Sequence, residues 1–180
     1  PGNENLAEII VAETIRLNNI VLEFLDFARP QRLNLAPVDI NNSITQALQF
    51  IQPELTENNI GLETELSSAI GTVTIDQDNF YRALLNILVN AIQAMPEGGR
   101  LRVSTGVQKS DGSIVIKIQD SGIGMSDEKK DEIFKPFYTD KNRGTGLGLA
   151  ITKNIIEQHH GTIQVSSKKN EGSTFTIILP

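Results

Sequence analysis

The chain has 180 residues, 39% of them hydrophobic, and a formal net charge of -6. That length holds one domain of ordinary size and a little more. The acidic balance argues against general electrostatic attraction to nucleic acid, so no nucleic-acid partner is expected. Cysteine is absent, which excludes a disulfide framework or a thiolate metal site and fits a cytoplasmic setting. No apolar run reaches membrane-spanning length and no signal peptide is visible, so a membrane-inserted segment is not expected here. The opening Pro1-Gly2-Asn3 carries no initiator Met, and the expectation is a fragment or a processed product.

Residues 5–29 read as one long helix. Leu6, Ile10, Glu13, Leu17, Ile20, Phe24 and Phe27 recur at alternating steps of four and three, a heptad seam with one polar member. Pro30 ends it, because the residue before a proline avoids the helical region. Such a helix cannot bury its own stripe, so a bundle or dimer partner is expected. Residues 31–39 form a short linker. Residues 40–58 are helical, with Asn41, Asn42 or Ser43 as candidate caps and Pro53 as a candidate interruption. Residues 60–66 and 71–75 are strands. Asp76 caps a helix running to about Met95. After a turn at residues 96–99, strands 100–108 and 113–119 form a hairpin. Ser126 begins a short helix, residues 133–143 are irregular, and residues 147–159 are helical and closed by Gly161. Strands 162–167 and 173–179 make a final hairpin. The fold class is α+β: a two-layer sandwich of a sheet covered by helices, preceded by a long N-terminal helix.

Asn86 and Asn90 lie one turn apart on the helix after Asp76, so both side chains share a face of an otherwise apolar element. Asn has low helix propensity, and an inward carboxamide needs a partner. A neutral oxygen of this kind suits Mg²⁺, which keeps several waters and takes other oxygens from phosphates. Asp120-Ser121-Gly122-Ile123-Gly124 follows an apolar strand. A carboxylate at a strand end can accept the exocyclic amino group of adenine, and glycines allow close backbone approach. Gly144-Thr145-Gly146-Leu147-Gly148 leads directly into a helix, whose first N–H groups and positive partial charge favour phosphate. Lys141 and Arg143 are cations close to these glycines, placed to meet a γ-phosphate. Between the two glycine segments lies Phe134-Lys135-Pro136-Phe137-Tyr138, read as the anchor of a hinged lid over residues 133–143. Neither a P-loop nor a dinucleotide fingerprint occurs.

In this order the four segments resemble the N, G1, F and G2 boxes of sensor histidine kinases, and the resemblance covers nearly the whole chain. It implies the Bergerat or GHKL ATP-binding fold, with a mixed sheet, and ATP and Mg²⁺ as cofactors. It implies Asn90 as the metal ligand, with Asn86, Lys141 and Arg143 beside it as catalytic candidates. Nucleotide-binding candidates by resemblance are Asn90, Asp120, Gly122, Gly124, Phe137, Gly144, Thr145, Gly146, Leu147 and Gly148. Asn90-Ala91-Ile92-Gln93-Ala94-Met95 and the short lid are similar to the nitrogen-regulation subgroup; Gln93 stands where many members carry lysine. In related ATPases (gyrase, MutL and heat-shock chaperones) the position of Asn86 resembles a water-activating glutamate. A carboxamide cannot serve as that general base, which favours phosphoryl transfer over hydrolysis.

The histidine that would receive the phosphate is not visible. His159 and His160 are the two histidines of the chain; they match a helix exit before a strand and read as structural. Residues 6–30 resemble the second helix of the family's dimerising hairpin. The implied organisation is hairpin helix 1–30, linker 31–39 and ATP-binding catalytic domain 40–180. The implied partners are ATP, a response-regulator protein and a second copy through the N-terminal helix. Alternatives are a GHKL ATPase clamp, an anti-sigma serine kinase and a non-catalytic dimerisation module.

Overall fold

The computed structural model describes residues 33–139 and 145–180, together with residues 10, 11, 13–15, 17, 18, 21, 24 and 25. The elements run β1 (Ala36–Asp39), α1 (Ile40–Glu57), β2 (Ile60–Glu65), β3 (Thr72–Ile75), α2 (Gln77–Gln93), β4 (Gly99–Val107), β5 (Ile114–Asp120), α3 (Asp127–Glu132), α4 (Gly148–Gln158), β6 (Thr162–Lys168) and β7 (Gly172–Leu179). The chain is therefore α+β, as its pattern predicts. The described residues between 10 and 25 are helical, and Ile10, Leu17 and Phe24 of the heptad seam are exposed. Leu6, Ile20, Phe27 and the end at Pro30 lie outside the described residues. No helix among the described residues is long and apolar enough to cross a membrane.

Five strands form one mixed sheet in the order β2-β4-β5-β7-β6. The β4–β5, β5–β7 and β6–β7 pairs are antiparallel. The β2–β4 pair is parallel, with Ile60 opposite Gly99. A parallel pair requires a crossover, and the intervening α2 supplies it. One sheet face is solvated, with Arg100, Arg102, Lys117 and Gln119 exposed. The alternate residues Leu101, Val103, Ile116, Ile118, Phe175 and Ile177 are buried. This alternation is the signature of a sheet covered on one side. The covering layer is α1, α2 and α4, which contribute Ile44, Leu55, Phe80, Leu84, Ile87, Leu88, Ile155 and Ile156 to the core. Each such side chain contributes about 1.5–3 kcal/mol on burial.

Several local details differ from the expectation. Residues 36–39, expected within a linker, form a strand paired antiparallel with β3, Ala36 opposite Ile75. Helix α1 is capped by Asp39, whose carboxylate accepts from the Asn42 amide at 3.1 Å. Asn41 instead bonds the Ser67 carbonyl and the Thr105 hydroxyl, tying α1 to the sheet. Pro53 does not interrupt α1. It sits on the exposed side, where water can satisfy the carbonyl it leaves without an amide partner. The exit from α4 is also different: His160, not Gly161, takes the left-handed position, with φ 59°. Gly161 follows it and donates its N–H to the Ile156 carbonyl at 2.9 Å. A Cβ on Gly161 would lie 2.7 Å from the Ile178 carbonyl oxygen, so the glycine is needed for space.

His159 is structural in this arrangement. His159 is 5% exposed. Its Nδ1–H donates to the Ile155 carbonyl (2.7 Å), and its Nε2 accepts the Asp76 amide (2.8 Å). The end of α4 is thereby fastened to the start of α2, so the two helices run antiparallel. Asp76 in turn caps α2 through Asn79 and accepts the Asn34 amide. Burial pushes its carboxyl up, but the Asn79 and Asn34 amides outweigh this and hold it below the usual range. Asp76 therefore stabilises the fold above the ordinary carboxylate pKa, and that stability is lost as pH falls through the lowered value.

His159→Ala leaves the buried Asp76 amide without an acceptor and opens a cavity. The expected cost is about 2–4 kcal/mol in urea denaturation. His160→Gly relieves a left-handed non-glycine residue and is expected to stabilise by about 1 kcal/mol in the same assay.

Candidate functional site

Helix α2 is the axis around which the predicted segments gather. Its C-cap, Ala94, accepts the Ile123 amide at 2.9 Å, which holds the Asp120–Gly124 loop against the helix end. One face further back, the Asn86 Nδ2 donates to the Gly148 carbonyl at 3.2 Å. Asn90 lies between these points and donates its Nδ2 to the Asn86 backbone carbonyl at 2.8 Å. That bond identifies which end of the Asn90 carboxamide is nitrogen, and hence Oδ1 as the oxygen of ligand type. The first glycine segment, the Asn pair and the second glycine segment are thus contiguous in space.

Asp120 ends β5 and is 3% exposed. Its Oδ1 accepts the amides of Gly122 (2.9 Å) and Ser173 (3.2 Å). Both amides take the same oxygen. Burial pushes the Asp120 carboxyl above the usual range, although the Gly122 and Ser173 hydrogen bonds oppose this. Ser173 is a site residue that sequence reasoning missed. The available signal is Gly172-Ser173 opening a strand, since an interior glycine marks close backbone approach. A Cβ on Gly172 would lie 2.1 Å from the Asp120 carbonyl oxygen.

The glycines of the first segment are needed by the protein itself. A Cβ on Gly122 would fall 2.3 Å from the Ala94 carbonyl oxygen, and one on Gly124 would fall 2.0 Å from that of Lys168. Gly124 also has φ +58°, where L side chains are strained. In the second segment Gly146 (φ +69°) lies against the Phe137 backbone: a Cβ would approach its carbonyl carbon to 2.5 Å. The F and G2 segments therefore touch.

Phe134 and Phe137 have different roles. Phe134 anchors inward, edge-on to Phe175 with ring centroids 6.5 Å apart. Phe137 was expected to anchor the same segment but is 59% exposed, at φ 65°. Its ring stacks instead on Phe24 of the N-terminal helix, 6.3 Å between centroids. Leu147 is fully buried in the core, so it offers a ligand only its backbone, and its amide donates to the Thr145 hydroxyl at 3.3 Å. Gly148 begins α4. Lys141, Arg143 and Gly144 lie outside the described residues. No group of three or more His, Cys, Asp or Glu among the described residues could hold a metal. An ion here would depend on the Asn90 amide oxygen and on oxygens brought by a phosphate ligand, which is the donor set Mg²⁺ prefers.

A helix-covered mixed sheet with a buried strand-end carboxylate heading one glycine segment, and a second glycine segment opening a helix, defines a nucleotide-site architecture distinct from P-loop and dinucleotide folds. The chain belongs to the histidine kinase-, DNA gyrase B- and HSP90-like ATPase family, which residues 75–180 match. It is similar to the sensor histidine kinase ZraS of Escherichia coli (strain K12), at 39% identity over 175 residues, covering 97% of this chain and 37% of that protein. This chain thus spans well under half the length of that relative. Among solved structures it is similar to full-length ShkA in complex with AMPPNP (TM-score 0.79, 28% identity, 90% of this chain and 34% of that one). It is equally similar in fold to histidine kinase ThkA in complex with response regulator protein TrrA (TM-score 0.79, 27% identity, 96% of this chain and 49% of that one).

Because the folded Asp120 carboxyl is raised, the folded protein binds that proton more tightly than the unfolded chain. The ionised form then costs stability above the raised value, and the cost fades as pH falls towards the ordinary carboxylate pKa. Asp120→Asn is expected to match or exceed the parent's melting temperature at pH 7.5, with the difference shrinking towards pH 4. Calorimetric melting across that range checks it; a lower melting temperature at neutral pH would refute it.

Proposed function

We propose that this chain is the ATP-binding catalytic part of a sensor histidine kinase. The observation that carries the reading is the buried Asp120 carboxylate, held by the Gly122 and Ser173 amides in a loop that α2 grips at Ala94, with the second glycine segment tied to the same helix at Asn86. Family membership and the likeness to kinases solved with AMPPNP and with a response regulator support it.

In this reading Asp120 accepts the adenine amino group, with Gly122 and Gly124 shaping the wall beside it. Gly144, Thr145, Gly146, Leu147 and Gly148 present backbone N–H groups and the α4 N-terminus to the phosphates. Asn90 Oδ1 holds Mg²⁺, which would offset phosphate charge. Lys141 and Arg143 stabilise charge on the transferring γ-phosphoryl group. Phe137 belongs to the lid rather than to the base pocket. The position of Asn86 offers a carboxamide where a hydrolase needs a base, which favours transfer to a protein acceptor.

The acceptor is a histidine on a segment outside this chain. His159 is buried with both ring nitrogens engaged, and His160 forms the helix exit. Residues 1–30 are the second helix of a dimerising hairpin and 31–39 the linker, with Ala36–Asp39 pairing onto the catalytic domain 40–180. The exposed apolar residues Ile10, Leu17 and Phe24 then meet a second copy in the intact protein. The phosphohistidine passes its phosphate to an aspartate of a response regulator. The catalytic part operates in the cytoplasm.

Calorimetric titration of ATP, with and without Mg²⁺, tests this. Asp120→Ala is expected to weaken binding by about 10- to 100-fold, since hydrogen bonds to charged groups are worth about 1.5–3 kcal/mol. Asn90→Ala is expected to remove the Mg²⁺ dependence. Folded wild-type chain that binds no ATP would overturn the reading. Incubation with labelled ATP is expected to leave no acid-labile phosphate on this chain.

A further inference from the structure

Helix α4 begins weakly by its own sequence. Its N-cap is Leu147, which makes no side-chain cap bond, and its first turn holds no acidic residue. Its first residue is Gly148, and glycine costs a helix about 1 kcal/mol relative to alanine. Yet this turn is the one that faces the nucleotide phosphates in the function proposed above. Something outside α4 must hold it in place.

The support comes from α2. The Asn86 Nδ2 donates to the Gly148 carbonyl (3.2 Å) and, at the longer distance of 3.4 Å, to the Thr152 hydroxyl. Thr152 Oγ1 donates to the same Gly148 carbonyl at 2.9 Å, closing a triangle. Thr152 is 0% exposed. The Asn86 carboxamide also packs on the α4 backbone: a Cβ on Gly148 would stand 3.7 Å from Asn86 Cγ. Both polar partners of Asn86 are acceptors at this point, so the tie needs a donor of this length. Glutamate or aspartate at 86 would set a carboxylate against them.

We infer that Asn86 is a positioning residue, whose carboxamide pins the first turn of α4 to α2 through Gly148 and Thr152. This rests on the nucleotide-site reading but separates two roles for Asn86. A direct ligand contact would involve Asn86 alone. A pin also involves Thr152, which is buried and cannot touch a nucleotide.

The test is a double-mutant cycle of Asn86→Ala and Thr152→Val with two readouts on the whole chain. The first is amide hydrogen exchange over residues 148–153 without nucleotide. The second is Mg·ATP affinity by calorimetry. Asn86→Ala is expected to speed exchange in that turn by about tenfold and to weaken ATP by about 5- to 20-fold, the range of one or two hydrogen bonds. Thr152→Val is expected to shift both in the same direction by a smaller factor, and Thr152→Ser to restore both. The double variant should lie within about twofold of Asn86→Ala, because both changes break one unit. Should Asn86→Ala unfold the chain, the size-matched Asn86→Asp replaces it, with the same loss expected because it cannot donate. Weaker ATP binding without faster exchange would overturn the inference, as would factors that multiply or a Thr152→Val that behaves as wild type. A wild-type chain that binds no ATP, with exchange still faster in Asn86→Ala, would sink the proposed function and leave the tie without a nucleotide role.

Discussion

The antiparallel pairing of α2 with α4 is the constraint on which the rest of the site depends. It is fastened at one end by His159 accepting the Asp76 amide and towards the other by Asn86 donating to Gly148. Between those ties the apolar faces of the two helices interlock over the sheet. Because α2 carries the Asn pair on one stretch and grips the Asp120 loop at Ala94, fixing α2 against α4 fixes the separation of every segment that could hold a nucleotide. The hydrogen bonds are few, but the one to His159 satisfies the Asp76 amide, which would otherwise be buried without a partner, where omission costs more than formation gains.

Glycine placement follows from the same crowding. Gly122, Gly124, Gly146 and Gly172 each stand where a Cβ would press into a carbonyl or backbone carbon of a neighbouring segment. They allow the loops to nest on one another before any ligand arrives. The reading in which glycines merely clear room for a base is thus incomplete. Asp120 shows the opposing demand: burying its carboxylate raises its pKa and costs stability, which the Gly122 and Ser173 amides offset only in part.

Much of this was legible in the chain order. Alternating apolar positions gave the strands, Asp76 marked the start of α2, and the Asn86/Asn90 spacing placed both amides on one helical face. The misses have identifiable causes. Asp39 outcompeted three nearby cap candidates because only it precedes the first buried residue, Ile40. Pro53 stays within α1 because its side of the helix meets water. His160 occupies a left-handed position usually given to glycine, because Gly161 is required where the Ile178 carbonyl leaves no room. Phe137 turned outward towards Phe24, a contact between positions too distant in the chain for any local pattern to report.

By itself the sequence determined the class of fold, the places of its main helices and strands and the shared helical face of Asn86 and Asn90. These are properties of local residue types, spacing and periodicity, which act over a turn or a strand. Only the tertiary structure decided that β2 pairs parallel with β4, that residues 36–39 join a strand pair, and that Ser173 and Thr152 support Asp120 and Asn86. Those outcomes depend on which backbone groups meet across tens of residues. The energy of such meetings resides in packing and in satisfying buried donors, and no local run of sequence records it.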